Sequence, residues 1–97
     1  MDKIEWFFID VDNMHIEDDM KWYLTVGLDE AGTYYCPLEY AHPYTQSILA
    51  LAAQDGIRVA EFKDRLFVPM DWLRKNNSKA KPMVDKMEDL AISCKVI

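Results

Sequence analysis

"MKWYLTVGLDEAGTYYCPL", residues 20–38, is the stretch that decides the fold class of this chain of 97 residues. Apolar and polar side chains alternate over residues 20–28, which is typical of a strand with one buried face. The Asp-Glu-Ala-Gly sequence that follows predicts a turn, because Gly32 can adopt the positive φ of a short hairpin loop. Residues 33–38 supply the returning strand, and Pro37 predicts that this strand ends at an edge of the sheet. The stretch therefore predicts an antiparallel β-hairpin.

A further strand precedes this hairpin, and a second hairpin follows it. Residues 3–11, KIEWFFIDV, carry bulky side chains on both faces, so either both faces are covered or one of them meets another molecule. Residues 57–62 and 65–69 have strand character and are joined by Lys63 and Asp64, which predicts a tight hairpin. The short connection after the first strand favours antiparallel pairing, because parallel strands need a long crossover.

Three segments have helical character. Residues 43–54 begin with a proline suited to a first helical turn, are rich in Leu, Ile and Ala, and end before Gly56. Pro69 opens a short helix and Pro82 opens the last one. The apolar residues of the last helix share one stripe: Met83, Met87, Leu90, Ala91 and Cys94. Because no linker or internal repeat interrupts the chain, residues 1–97 are predicted to form a single α+β domain, an antiparallel sheet packed by two or three short helices.

The composition excludes several classes of protein. Apolar residues make up 51% of the chain, which is enough to build a core. The sequence has no apolar run long enough to span a membrane, and charged residues follow Met1 at once, so neither a membrane segment nor a signal peptide is expected. Cys36 and Cys94 lie far apart without a C-x-x-C pattern, which favours free thiols in a reducing compartment. We therefore expect a cytoplasmic protein.

The net charge of −6 is distributed unevenly along the chain. Residues 1–42 hold ten acidic and two basic side chains, a balance of −8, whereas residues 43–97 hold seven acidic and nine basic ones, a balance of +2. Aromatic side chains are interleaved with the acidic ones, as in protein interfaces, where rings anchor the partner and charges steer the encounter. The candidate partner-binding residues are Asp10, Asp12, Glu17, Asp18, Asp19, Asp29, Glu30 and Tyr34.

This pattern predicts a non-catalytic protein-binding module. We expect a small acidic inhibitor of the immunity, anti-defence or nucleic-acid-mimic type, a class that includes phage-encoded proteins, which occupies a basic surface of its partner. A nucleic-acid-binding protein or a nuclease would offer such a surface. Two other interpretations stay open. In the first, the acidic residues serve only to keep the protein soluble. In the second, the chain forms a homodimer through the face of residues 3–11.

Residues 7–13, FFIDVDN, suggest a different chemistry. They resemble the first motif of the haloacid dehalogenase superfamily and the opening strand of PIN-like nucleases. The first resemblance implies that Asp10 is a phosphoryl-accepting nucleophile and Asp12 a general acid or base, with magnesium at the end of the strand. Met14 stands where the dehalogenase motif has Thr, and the expected antiparallel sheet lacks the parallel crossovers of both families. We therefore expect an acidic turn, with magnesium-dependent phosphoryl transfer or nuclease activity at Asp10 and Asp12 as an alternative.

The second hairpin, residues 57–69, resembles the wing of winged-helix excisionase-type DNA-binding domains. The resemblance implies that Arg58, Lys63 and Arg65 contact DNA phosphates. Because neutralised phosphates supply most of the affinity for DNA and this chain is acidic overall, direct nucleic-acid binding is the less favoured alternative. No pattern of histidine, cysteine, serine or glycine residues indicates another catalytic site or a cofactor, so we expect neither.

Overall fold

The computed structural model of this chain describes residues 3–9 and 17–95, with side chains as far as residue 93. Its strands are β1 (Ile4–Phe8), β2 (Thr25–Asp29), β3 (Tyr34–Pro37), β4 (Ala60–Phe62) and β5 (Arg65–Pro69). Its α-helices are α1 (Thr45–Asp55), α2 (Met70–Asn76) and α3 (Lys81–Lys95). The first 3₁₀-helix is Asp18–Leu24 and the second is Leu38–Ala41. Together these elements form the small α+β fold that the sequence predicts.

The strands form one antiparallel sheet in the order β1-β2-β3-β5-β4. The first hairpin supplies β2 and β3, and the second hairpin joins it through pairs such as Cys36 with Val68. The expected second hairpin between helices is therefore present, and it extends the sheet of the N-terminal half. The expected end of α1 is also confirmed, because Gly56 adopts the left-handed conformation with φ 68°.

Three local predictions are wrong. Residues 20–24 belong to the first 3₁₀-helix and not to a strand, since the Thr25 hydroxyl donates back to the carbonyl of Lys21 at 2.9 Å and closes the helix. β3 lies in the middle of the sheet, so Pro37 marks no edge; this last residue of the strand pairs with β5, beyond the register of β2 with β3. Pro43 follows a cis peptide bond and precedes α1, which begins two residues later.

The main core brings side chains of all three α-helices against one face of the sheet. Its fully buried members include Val26, Cys36, Val68, Leu73 and Met87. At the edge of this core the Arg74 guanidinium of α2 lies 2.6 Å from Glu88 and 3.4 Å from Asp85, both on α3. The α-helices thus cover one face, and the opposite face needs another cover.

The sheet covers its opposite face by curling. Trp6 of β1 stacks on Phe62 of β4, with ring centroids 4.7 Å apart and planes inclined by 15°. The same indole meets Phe67 of β5 edge-on, at a centroid distance of 4.7 Å. Because β1 and β4 are the two edge strands, these contacts curl the sheet around a small second core. Both faces of β1 therefore contribute to cores, with Phe7 packed on the side of the main core.

Gly27 allows this curvature. It is the cross-strand partner of Trp6, and a Cβ atom here would lie 2.7 Å from Cζ3 of Trp6 and 2.8 Å from Cγ2 of Ile4. Both distances are well inside van der Waals contact, so a side chain at this position would displace the indole from Phe62. The glycine thus leaves a bare strip of backbone on which the ring lies.

We expect Gly27→Ala to lower the free energy of unfolding by about 1–3 kcal/mol through this collision, although alanine normally costs less backbone entropy than glycine. Urea unfolding followed by tryptophan fluorescence measures the change. In an Ile4→Ala/Trp6→Leu background, which removes the colliding groups, the same substitution should cost little. An equal cost in both backgrounds would contradict this account of the curled sheet.

Candidate functional site

The antiparallel register brings three segments of the chain to one end of the sheet. Phe8, the last residue of β1, pairs with Thr25, which directly follows the first 3₁₀-helix. At the same end, Pro37 of β3 pairs with Phe67 of β5, close to the tip of the second hairpin. Between these segments lies an open cavity of about 790 Å³, which we call the groove. It is therefore built from parts that are far apart in the sequence.

Aromatic side chains and cations line the groove together. The aromatic lining includes Trp6, Phe8, Trp22 and Phe62. The cations lie over three of these rings, Lys21 over Phe8 at 5.4 Å, Lys63 over Phe62 at 5.5 Å and Arg65 over Trp22 at 4.1 Å. The electrostatic attraction of a cation to a ring face holds each charged group beside the apolar lining. The groove thus offers broad apolar surface with positioned charges.

Acidic side chains form the other part of its rim. Asp18 and Asp19 of the first 3₁₀-helix line the groove, and Asp64 does so from the hairpin tip. Asp18 lies 3.1 Å from the ammonium group of Lys21, yet 95% of its side chain is exposed. Such an exposed pair contributes little to stability, so the carboxylate stays accessible to another molecule. Together with Glu17, the described acidic residues at this end of the sheet slightly outnumber the basic ones. The electrostatic potential around the groove therefore has regions of both signs.

The tip of the second hairpin is strained. Lys63 and Asp64 both have positive φ, 51° and 65°, in a two-residue loop of the type I′ kind. Asn-Gly is the favoured sequence for such a loop, and an ordinary L-residue in the left-handed region costs roughly 1–2 kcal/mol. A charged pair therefore occupies a position where folding alone favours other residues, and both side chains line the groove.

We expect Lys63→Asn/Asp64→Gly to raise the free energy of unfolding by about 1 kcal/mol, because it relieves this strain. Chemical denaturation measures the gain. The matched control is Lys63→Ser/Asp64→Ser, which removes the same two charges without supplying glycine and should not stabilise the protein. If the two double variants were equally stable, the left-handed backbone would not be the cause.

Asp29 lies at the opposite end of the sheet and fastens its own hairpin. Its Oδ1 accepts hydrogen bonds from the backbone N–H groups of Ala31 at 3.0 Å and Thr33 at 2.9 Å, and its Oδ2 accepts one from the Tyr35 hydroxyl at 3.0 Å. Burial by itself would raise the pKa of Asp29, but these hydrogen bonds and the nearby Arg58 guanidinium hold that pKa below its usual value of 3.8. The carboxylate therefore has a structural role.

This lowered pKa predicts a loss of stability in acid. The folded state stabilises the ionised form of the Asp29 carboxylate more than the unfolded state does. Asp29 therefore stabilises the fold above about pH 4 and ceases to do so as the pH falls below that value. Asp29→Asn should therefore be less stable at neutral pH and should lose less stability on acidification. Denaturation at several pH values measures the difference. The matched control is Glu30→Gln, which removes the same charge from the exposed neighbour; an equal change in the pH dependence of this variant would contradict the assignment to Asp29.

The predicted partner-binding residues do not form one surface. Glu17, Asp18 and Asp19 lie at the groove, whereas Asp29 and Glu30 lie at the other end of β2. The length of β2 separates the two groups by about 14 Å, since a strand rises about 3.4 Å per residue. The remaining candidates are placed as follows: Tyr34 packs partly buried against the main core, and Asp10 and Asp12 lie outside the described residues.

The residues of the alternative functions are also separated. Lys63 and Arg65 line the groove, but Arg58 lies at the far end of the sheet, 5.9 Å from the ring centroid of Tyr35. Within residues 3–9 and 17–95, no group of three or more His, Cys, Asp or Glu residues is arranged to hold a metal ion. Cys36 is a free thiol, as expected, and burial raises its pKa well above the usual value, so it is not poised as a nucleophile.

The sequence marks Trp22 as one of the aromatic side chains interleaved with the acidic ones but predicts a strand at this position, and Phe62 carries no signal beyond strand character. Their proximity depends on the pairing of β3 with β5, which no local pattern encodes. A signal for Asp29 did exist, because aspartate at the start of a turn commonly accepts hydrogen bonds from the following backbone.

Comparisons with models of protein families, with curated proteins and with solved structures give no match to this chain. No helix in the described part of the chain has the length and apolar character needed to cross a membrane.

Proposed function

We propose that this chain is a non-catalytic protein-binding module, of the small acidic inhibitor type, that binds a basic surface of a partner protein through the groove. The main support is the composition of the groove: aromatic side chains with a charged rim, at the open end of a curled sheet. A rigid scaffold that presents rings and fixed charges in a concavity is suited to recognition.

The rings supply the anchoring contacts. Phe8 is 36% exposed although it belongs to a strand, and Trp6, Trp22 and Phe62 are only partly buried. Aromatic residues lose little conformational freedom on binding and bury a large area, which is why they dominate the affinity of protein interfaces. A partner side chain that enters the groove would remove these faces from water.

The charges select the partner. A net charge of −6 attracts basic molecules at long range, and Asp18 and Asp19 meet them at the rim, next to Glu17 in the sequence. Lys63 and Arg65, which also line the groove, repel a uniformly basic surface. They therefore restrict the orientation in which a partner can bind. Asp10 and Asp12, between β1 and the first 3₁₀-helix in the sequence, remain predicted members of this surface.

Charge reversal at the rim tests the proposal. We expect Asp18→Lys/Asp19→Lys to weaken partner binding by about tenfold or more, because it replaces attraction by repulsion at the contact. The measurement is capture of the partner from a lysate of the source cells at low and high salt, followed by titration with the captured protein. Binding of the unmodified chain should weaken steeply with salt.

The matched control is Glu30→Lys/Asp89→Lys, which changes the net charge by the same amount at two exposed positions away from the groove. This variant should keep most of its affinity. Equal losses in both double variants would indicate a net-charge effect, and no loss in either would exclude the groove. Retardation of DNA in a low-salt gel shift, abolished by Lys63→Ala/Arg65→Ala, would favour the winged-helix alternative instead.

A further inference from the structure

The two edges of the curled sheet leave a gap between β1 and β4, which we call the seam. In the described part of the chain, β1 pairs only with β2 and β4 only with β5, so the outer side of each edge strand faces no neighbouring strand. A cleft of about 390 Å³ opens along the seam, lined by Ile4 and Trp6 of β1 and by residues 58–61. Trp6 also lines the groove, so the cleft and the groove share this residue.

The strand directions determine which kind of strand would fit the seam. Every neighbouring pair in the order β1-β2-β3-β5-β4 is antiparallel, so the direction reverses four times and β1 runs parallel to β4. The two edges therefore cannot join as an antiparallel pair. A single added strand running the opposite way would be antiparallel to both edges and would close a barrel of six alternating strands.

The backbone of β1 is oriented to accept such a strand. The N–H of Ile9 donates to the carbonyl of Leu24 at 2.8 Å, which identifies their pair as hydrogen-bonded. Since bonded and non-bonded pairs alternate in an antiparallel ladder, the N–H and C=O groups of Ile4, Trp6 and Phe8 point away from β2, toward the seam.

The same reasoning applies to β4. In a two-residue hairpin the residues that flank the loop, Phe62 and Arg65, form a bonded pair, so the N–H and C=O groups of Glu61 point away from β5. Both borders of the seam thus present backbone donors and acceptors at alternate residues. The edge of β1 also lacks the proline, glycine and bulge that commonly protect an edge strand.

We infer that an extended segment of a partner protein inserts into the seam as a sixth strand; the inference rests on the proposed binding function and specifies its mode. The inward side chains of this segment are small and apolar, because the Trp6–Phe62 stack already fills the space beneath. Its outward side chains are basic, since Glu61 carries an exposed negative charge on the outer face of the β4 edge, and the charge of Arg58, which also lines the cleft, is offset by nearby Asp29. A second copy of this chain is disfavoured as the occupant because it carries the same net charge of −6.

Short synthetic peptides test the inference directly. The probe is Lys-Val-Lys-Val-Lys-Val-Lys, and its controls are the sorted isomer Val-Val-Val-Lys-Lys-Lys-Lys and an alternating peptide with N-methylated valines. The measurement is amide hydrogen exchange by NMR. We expect the alternating peptide to slow exchange at Ile4, Trp6, Phe8 and Glu61 by about tenfold or more, because these groups gain hydrogen-bond partners. The isomer keeps the charge and the N-methylated peptide keeps the side chains, and neither should protect these amides.

A variant of the protein provides an independent test of strand insertion. Glu61→Pro removes the N–H that points into the seam and leaves the ladder with β5 intact, as is tolerated at an edge. It should abolish protection by the peptide, whereas Glu61→Gln, which removes only the charge, should weaken it partially. Protection by the sorted isomer as well, or no protection by any peptide, would overturn strand insertion. Protection that rises with protein concentration in the absence of peptide would show a second copy in the seam and would also overturn it.

The outcomes separate this inference from the proposed function. If the captured partner binds Glu61→Pro normally but fails to bind Asp18→Lys/Asp19→Lys, the groove is functional and strand insertion is wrong. If Glu61→Pro fails to bind while the charge reversal has no effect, the seam is the binding site and the groove proposal is wrong. Loss of binding in both variants supports the two together.

Discussion

The contact of the Trp6 indole with Phe62 and Phe67, above the bare backbone of Gly27, is the interaction on which the rest of the structure depends. The helices can bury only one face of the sheet. A five-stranded sheet of this size would leave its second face in water, and the aromatic residues of β1 would be exposed on it. By reaching across to β4, Trp6 lets the sheet bury this face against itself.

This solution creates both candidate binding regions. Curling brings the parallel edge strands β1 and β4 near each other, but they do not pair in the described part of the chain, and the seam remains. The same curvature draws the tip of the second hairpin toward the first 3₁₀-helix, which forms the groove. Trp6 lines both cavities, so a ligand in either one would contact the side chain that holds the sheet in shape. Folding and the proposed binding therefore share one residue.

Local signals in the sequence were sufficient for most elements. Lys63 and Asp64 between two apolar runs identified the second hairpin, and Gly56 identified the end of α1. The strand prediction for residues 20–24 was wrong because apolar side chains at alternate positions are typical of a strand. In the 3₁₀-helix that these residues form, the same apolar side chains can still contact the core. Pro37 misled because strand order is a non-local property: the pairing of β3 with β5 depends on packing over the whole sheet. The groove shares this origin, so its aromatic residues could be identified as interface-prone but their meeting place could not.

The uneven charge along the chain does not become a single acidic pole, because antiparallel pairing sends Asp18 and Asp29 to opposite ends of the sheet. Several features that folding alone would not favour lie close together in the structure. Left-handed φ angles at Lys63 and Asp64, the edge strands β1 and β4, the exposed ring of Phe8 and the buried Trp22 indole N–H, which has no acceptor among the described residues, all lie around the groove and the seam. Other features of this kind lie away from both cavities: the buried Arg74 Nε has no hydrogen-bond acceptor among the described residues, and Tyr44 and Ile92 are exposed apolar side chains. Each such feature costs stability, and sequences tend to retain such costs where a site requires them. The group of such features around the groove and the seam is the physical basis for proposing a binding site there.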